Sequence, residues 1–447
     1  MSLSRELWKR RHEQPLFVAL CVLTVAVVVV WPVVDALLAR YDVVHVADYG
    51  FNDFGAYSGA VDNWLSGDGP IYTRAEDGGF HGSYLYPPYA LPLFYPFAKL
   101  GFEAGPVLFG VFSLFLLYVG VEAVVEELGY GLTVPERVVL LFGLFGFHPA
   151  LWDFKWGQVS TLLAAFLCFA FYTHERGQRG HAGSAYLSGL FTALAGGVKL
   201  FYATAGAHML RNSRRFVGGV LTGVGLLASS VVVFGLDTHE LYLEVLTWGK
   251  GWGTDQLPPA EWQTAYYRPL YLVDQTVDGI GLSLPNQWIP LAIAGGVLGV
   301  IGLTLRHRHN PGASVLTFAL GVAVIPLFAP RAYTHDLVVL LLPAILLLSG
   351  ELDRADGLPW IPVLAVLLVH FQTYGTRAAI HLSDSSQAVM LQPGVYGTFL
   401  LVGLAAGRLY GLDQSAPSND TEDGQPETGD AEGDTTEMAD SAEEGDE

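Results

Sequence analysis

A carboxylate serves as a general base when it is fixed beside the hydroxyl it must deprotonate. The stretch Asp53-Phe54-Gly55-Ala56-Tyr57, with Tyr86-Pro87-Pro88 further on, sets such a carboxylate among aromatics just after the first membrane-length apolar run. Three further groups interrupt apolar sequence: Asp153-Phe154-Lys155-Trp156-Gly157-Gln158, the single Lys199, and Ala329-Pro330-Arg331-Ala332-Tyr333-Thr334-His335-Asp336. Ionisable residues at membrane depth are costly and point to function, each with a partner to be found. Their bland alternative is an interfacial anchor or a snorkelling cation. Lys155, Lys199, Arg268, Arg331 and His335 fall on one side of the membrane in the topology below, where they can form a cationic pocket facing Asp53. A phosphate-bearing lipid requires such a pocket.

The elements that must position these residues are helices. Hydrophobic residues make up 51% of the chain, and its mean hydropathy is +0.38. The block 16–38 is long enough at ~1.5 Å per residue to cross a hydrocarbon core of ~30 Å. No small-residue cleavage site follows it, so it reads as a retained helix. Further apolar blocks recur to residue 407, several too short to span alone and therefore bent or re-entrant inside a bundle. The expectation is an all-α polytopic membrane protein of about 11–12 transmembrane helices. In the loop after the first helix, 54–65 places Phe54, Tyr57, Val61, Trp64 and Leu65 on one face of an amphipathic helix. Asp53 then falls at its N-cap, where capping alone would account for a carboxylate.

Basic residues set the orientation. Fourteen of the 23, among them Arg5, Arg10, Arg137, Arg179, Arg215, Arg354 and Arg408, fall in short loops on the side of the N-terminus. Both termini are therefore expected in the cytoplasm, and the Asp53 loop outside. The chain divides into a basic N-terminus (1–15), a membrane domain (16–408) with outer loops at about 40–89 and 237–287, and a tail (409–447). The tail has acidic residues and no basic ones, supplies most of the net charge of −20, and reads as disordered. With this balance no nucleic-acid partner is expected. Five lysines stand against 18 arginines, and this acid-rich, lysine-poor usage resembles proteins of salt-loving archaea. Cys21 and Cys168 lie in apolar blocks and offer no disulfide framework. His174/His181 and His307/His309 are interleaved with arginines in short inner loops and read as topology signals. No P-loop or dinucleotide fingerprint is present, so ATP-driven chemistry lacks support.

The ordered set Asp53-Phe54-x-x-Tyr57, Gly67 with Tyr72, Tyr86-Pro87-Pro88 leading to Pro96, Gly157-Gln158, Gly197-Val198-Lys199 and Ala329-Pro330 before Tyr333-Thr334-His335-Asp336 resembles glycosyltransferase family 87. These are membrane transferases of the GT-C class, known mostly as polyprenyl-phosphate-mannose-dependent α-mannosyltransferases. The chain departs from the family pattern at Ser160, Leu200 and Tyr333, where an Asn, a Pro and a Trp are usual. The resemblance implies a GT-C-type helical bundle and transfer of a hexose from a polyprenyl or dolichyl phosphate to a hydroxyl of a glycan, glycolipid or glycoprotein. It implies inversion at the anomeric carbon, Asp53 as base and His335 beside the donor phosphate. Lys155, Gln158, Lys199, Arg268, Arg331, Tyr57 and Tyr86 are then the donor- and substrate-binding residues. No cofactor is required; a divalent ion held by Asp48 and Asp53 is the less favoured alternative. Trp248, Trp252, Trp262, Tyr266 and Tyr267 could stack on sugars or sit at the bilayer interface. Two other classes fit the same pocket: a lipid-linked sugar flippase or transporter, and a glycan ligase. Against a carrier, no internal repeat is found and the unusual residues gather at one surface.

Overall fold

A computed structural model of the chain describes residues 3–41, 50–80, 82–251, 266–267, 270, 277, 280–285, 288–329, 332–383 and 391–414. In chain order the helices are α1 (Leu3–Lys9), α2 (Pro15–Arg40), α3 (Asn52–Ser66), α4 (Leu91–Ala98), α5 (Gly101–Glu127), α6 (Val134–Gly146), α7 (His148–Trp156), α8 (Ser160–Gln178), α9 (Ala182–Val198) and α10 (Ser213–Gly251). They continue with α11 (Trp288–Arg306), α12 (Ser314–Ala323), α13 (Ile325–Phe328), α14 (Leu341–Leu352), α15 (Trp360–His370), α16 (Gln372–Ser383) and α17 (Pro393–Gln414). Two 3-10 stretches, Leu200–Arg211 and Thr334–Leu340, border the site described below. A two-residue antiparallel pairing joins β1 (Tyr266–Tyr267) to β2 (Ala332–Tyr333).

This is an all-α polytopic membrane protein. Seven described helices are long and apolar enough to cross a membrane, or eight if α6 and α7, bent by 58°, form one broken span. The difference from eleven or twelve lies in the shorter apolar blocks, which fall below that length. Block 200–210 becomes a 3-10 stretch, and α9 and α15 are short apolar helices. α10 is broken at Gly235 (φ +76), two residues before the expected start of the outer loop at 237, and beyond the break Leu241, Val245 and Trp248 of its second, helical part pack inward. Large apolar side chains project from α2, α10 and α11, with Val232 86% exposed, and suit contact with acyl chains rather than water. The core lies around α8, α12 and the 334–352 segment, whose residues are the most buried. Close packing of α9 on α10 depends on Gly189, where a Cβ would lie 2.0 Å from the Arg215 carbonyl oxygen.

One end of the bundle is laced by charge. The Ser4 amide donates to Glu136 Oε1 at 2.7 Å, Arg10 to the Leu352 carbonyl at 2.7 Å, and Arg179 pairs with Glu127 at 2.8 Å. Arg408 grips Glu351 through two bonds of 2.8 and 2.6 Å. These contacts bring the starts of α2 and α6 together with the ends of α5, α8, α14 and α17. Asp53 follows the far end of α2. His174 is buried within a helix instead of lying in a loop, because α8 runs on to Gln178 and carries His174 onto Ser314 (2.8 Å), and His307, in the turn after α11, is buried as well.

Near the Asp53 end, Lys155 of α7 is buried in an ion pair with Asp35 of α2, and the Tyr374 hydroxyl donates to the other carboxylate oxygen at 2.9 Å. Removing one partner of a buried pair strands the other charge, at a cost of ~3–5 kcal/mol, whereas replacing both with apolar residues is often nearly neutral. Asp35→Asn is expected to lower the thermal midpoint of the detergent-solubilised protein markedly, and Asp35→Leu combined with Lys155→Met to restore much of it. Equal losses in the two proteins would show that the pair does not tie α2 to α7.

Candidate active site

The site is assembled where α7 ends and α3 begins. Gly157 terminates α7 at φ +68, and a Cβ there would stand 2.6 Å from Phe54 Cβ, so glycine is required both for the turn and for the seating of α3. The Phe51 amide donates to the Lys155 carbonyl at 3.1 Å. Phe51 itself is held at φ +46, a costly conformation for a bulky residue. The amphipathic helix is present as α3, with Phe54, Tyr57, Ala60 and Val61 buried. Asp53 lies in its first turn, Phe51 occupies the N-cap, and no side chain caps the helix. Capping therefore does not account for Asp53.

Asp53 Oδ2 instead accepts a hydrogen bond from Gln158 Nε2 at 2.5 Å. Gln158 Oε1 accepts from the Tyr86 hydroxyl at 2.9 Å and the Tyr57 hydroxyl at 3.1 Å. Two hydroxyl donors on the oxygen fix which way the amide faces and leave its NH2 for the carboxylate. Asp53 Oδ1 has no hydrogen-bond partner among the described residues. Burial pushes the Asp53 carboxyl up to about 6, against the Gln158 hydrogen bond and the Lys199 charge, while Asp336 adds to the rise. A carboxylate so placed is ionised near neutral pH yet basic enough to take a proton.

Beside it, Lys199 Nζ donates to Asp336 Oδ1 and Ser160 Oγ, both at 2.7 Å, and Ser160 Oγ donates to the same Asp336 oxygen at 3.0 Å. An ammonium has three donors; the third has no partner among the described residues. Asp336 Oδ2 accepts from the Tyr333 amide at 3.0 Å, which anchors the carboxylate at the start of the 334–340 stretch. The His335 ring stacks on Tyr333 at 5.2 Å, its Nε2 is 3.8 Å from Asp336 Oδ1, and its buried Nδ1 has no hydrogen-bond partner among the described residues. Asp153 is structural: its two oxygens cap α8 through the Ser160 and Thr161 amides, both at 3.1 Å.

Asp53, Tyr86, Gln158, Lys199, His335 and Asp336 line one cavity of ≈ 1120 Å³, and Tyr57 reaches it through Gln158. Its polar end continues into an apolar arm between the 200–211 stretch, α10 and α11, reaching Leu210, Phe216 and Val297. The 3-10 stretch, roughly 20 Å long at ~2.0 Å per residue, lends lining residues from Leu200 to Leu210 to that arm. Lys155 does not join the set, because its ammonium is spent on Asp35. Arg268, Arg331 and Asp48 lie outside the described residues. The described lining is consequently not cationic: one lysine faces two carboxylates. No group of three or more His, Cys, Asp or Glu among the described residues is arranged to hold a metal ion. Sequence reasoning gave no role to Asp336 or Ser160. The signal for Asp336 was available, since a lysine at membrane depth needs a carboxylate partner.

Residues 84–330, more than half of the chain, match the family profile described as glycosyltransferase family 87. The chain belongs to that family. A curated relative is the polyprenol-phosphate-mannose-dependent alpha-(1-2)-phosphatidylinositol pentamannoside mannosyltransferase of Mycolicibacterium smegmatis. It is 28% identical over 351 residues, which is 72% of this chain and 76% of the relative. No solved structure matches. This family 87 glycosyltransferase thus carries Gln158 and Lys199 inside the matched stretch, while Asp53 and His335 flank it and are folded back into the same cavity.

If Gln158 holds Asp53 in its ionised form, replacing it removes a bond that favours the anion. The Asp53 pKa then rises further, so the acid limb of the pH–rate profile moves to higher pH. For Gln158→Leu we expect an upward displacement of about one pH unit from the wild-type limb near 6. A lower rate with an unmoved limb would show that Gln158 does not act on the base.

Proposed function

We propose that this glycosyltransferase is an inverting mannosyltransferase that takes mannose from a polyprenyl or dolichyl phosphate and delivers it to a sugar hydroxyl at the outer face of the membrane. The observation that carries the reading is the cavity in which the half-buried Asp53 carboxylate and Lys199 meet an apolar arm lined from Leu200 to Leu210. A nucleotide-sugar site has no use for such an arm; a prenyl chain does. The family and the mannose-dependent relative support the same donor class.

In this reading the prenyl chain lies along the 200–211 stretch, and the third N–H of Lys199 meets a phosphate oxygen. Asp53 Oδ1 takes the proton from the acceptor hydroxyl as its oxygen attacks the anomeric carbon. The bond from that carbon to the phosphate oxygen breaks, and the phosphate leaves with the electron pair. Attack opposite the leaving group turns a β-linked donor into an α-linked product. A lipid phosphate is already a good leaving group, so no general acid is needed. His335, beside Asp336, is the group placed to hydrogen-bond the phosphate or relay the proton. The basic lacing of Arg10, Arg179 and Arg408 at the other end supports termini on the cytoplasmic side and Asp53 outside.

The test is purified protein in sealed vesicles with radiolabelled polyprenyl-phosphate mannose and acceptor supplied only outside. Label is expected to leave the lipid phosphate and appear in a glycoside product. Label that crosses the bilayer still attached to the lipid would establish a flippase instead. Lys199→Ala should raise the donor KM about tenfold, the worth of a charge-assisted hydrogen bond.

A further inference from the structure

We propose that Trp152 and Trp156 form the subsite that binds the acceptor's sugar ring, a pyranoside whose C–H face stacks on indole; this rests on the glycosyl-transfer reading above. The two residues are one turn apart on α7 and so share a face. Their rings lie nearly parallel, 26° apart with centroids 6.4 Å apart, and both line the cavity. Trp156, half-buried, is the ring more open to the cavity, and Trp152, 6% exposed, backs it; this aromatic wall is the ledge. Trp152 is further fixed by the edge of His148, at 5.4 Å.

The ledge ends at the base. Gly157 turns the chain immediately after Trp156, Gln158 then presents its amide to Asp53, and the Phe51 amide bonds back to α7 at Lys155. Asn52 also lines the cavity, is exposed, and its side-chain amide has no hydrogen-bond partner among the described residues. It offers a donor and an acceptor for sugar hydroxyls one residue from the base. The arm assigned to the donor chain belongs to the 200–211 stretch, α10 and α11, whereas α7 packs on α3, α5, α8 and the 334–340 stretch. The two halves of the cavity thus reach Asp53 from different elements. A base must reach the proton of the acceptor hydroxyl while that oxygen faces the anomeric carbon, so with the donor chain in the arm, the ledge that ends beside Asp53 falls to the acceptor.

The experiment is two-substrate kinetics on purified full-length protein, with polyprenyl-phosphate mannose as donor and n-octyl α-D-mannopyranoside as the acceptor probe, for wild type, Trp156→Leu, Trp156→Phe and Trp152→Phe. Trp156→Leu is expected to raise the acceptor KM about five- to tenfold, with smaller rises for the two phenylalanine variants, as loss of an aromatic contact predicts. The donor KM should move less than twofold in each. A rise in donor KM with acceptor KM unchanged, or no change in either, would overturn the subsite. If Trp156→Leu fails to purify as a monodisperse protein, the two phenylalanine variants decide the matter by the same criterion. Wild-type protein that releases mannose from the donor but does not mannosylate the probe also overturns the subsite while leaving the donor reading standing. Wild-type protein that leaves the donor intact defeats the transfer reading itself.

Discussion

The amide of Gln158 is the junction through which the polar end of the cavity is organised. Its oxygen is filled by two tyrosine hydroxyls, so its nitrogen has one direction left, toward Asp53. Those tyrosines come from α3 and from the chain just before Pro87, and Gln158 itself from the turn between α7 and α8. The bond set therefore exists only when three segments far apart in sequence have docked. Gly157 permits the approach by lacking a Cβ, and the buried Asp35–Lys155 pair keeps α7 against α2 behind it. A carboxylate held this way has one oxygen committed and one free, which is the condition a general base must meet.

Electrostatics divides the rest of the cavity. Lys199 is largely neutralised by Asp336, so the site does not attract anions by an excess of positive charge among its described residues. What it offers a phosphate is one oriented N–H, with Ser160 and Asp336 holding the ammonium in place. An ion pair on one flank and an aromatic ledge on the other leave room between them for a sugar. In the proposed reading the apolar arm takes the lipid chain and keeps it apart from the acceptor.

Much of this was legible in the sequence for physical reasons. Long apolar blocks fixed the class, and Phe54, Tyr57 and Val61 at helical spacing marked α3 together with the face it buries. Asp53, Gln158, Lys199 and His335 were each conspicuous as polar groups in apolar surroundings, and they share one cavity. Lys155 was equally conspicuous, but hydropathy cannot say which partner a buried lysine finds. Asp35, three residues before the end of the first apolar block, was given no role. The 200–211 stretch was visible only as a short apolar block, because composition does not separate an apolar 3-10 wall from a bent or re-entrant helix. The expectation that Asp53 caps α3 failed by a shift in helix start, with Phe51 in the capping position and Asp53 free to meet Gln158.

The central claim is that Asp53 is the base, and Asp53→Asn examines it most directly. The amide preserves size and can still accept the Gln158 hydrogen bond through its oxygen, but it cannot take a proton at any working pH. The account predicts that transfer from polyprenyl-phosphate mannose, measured at saturating donor and acceptor, falls by ~10²–10⁴-fold in protein that remains folded. A folded Asp53→Asn protein turning over at close to the wild-type rate would contradict it.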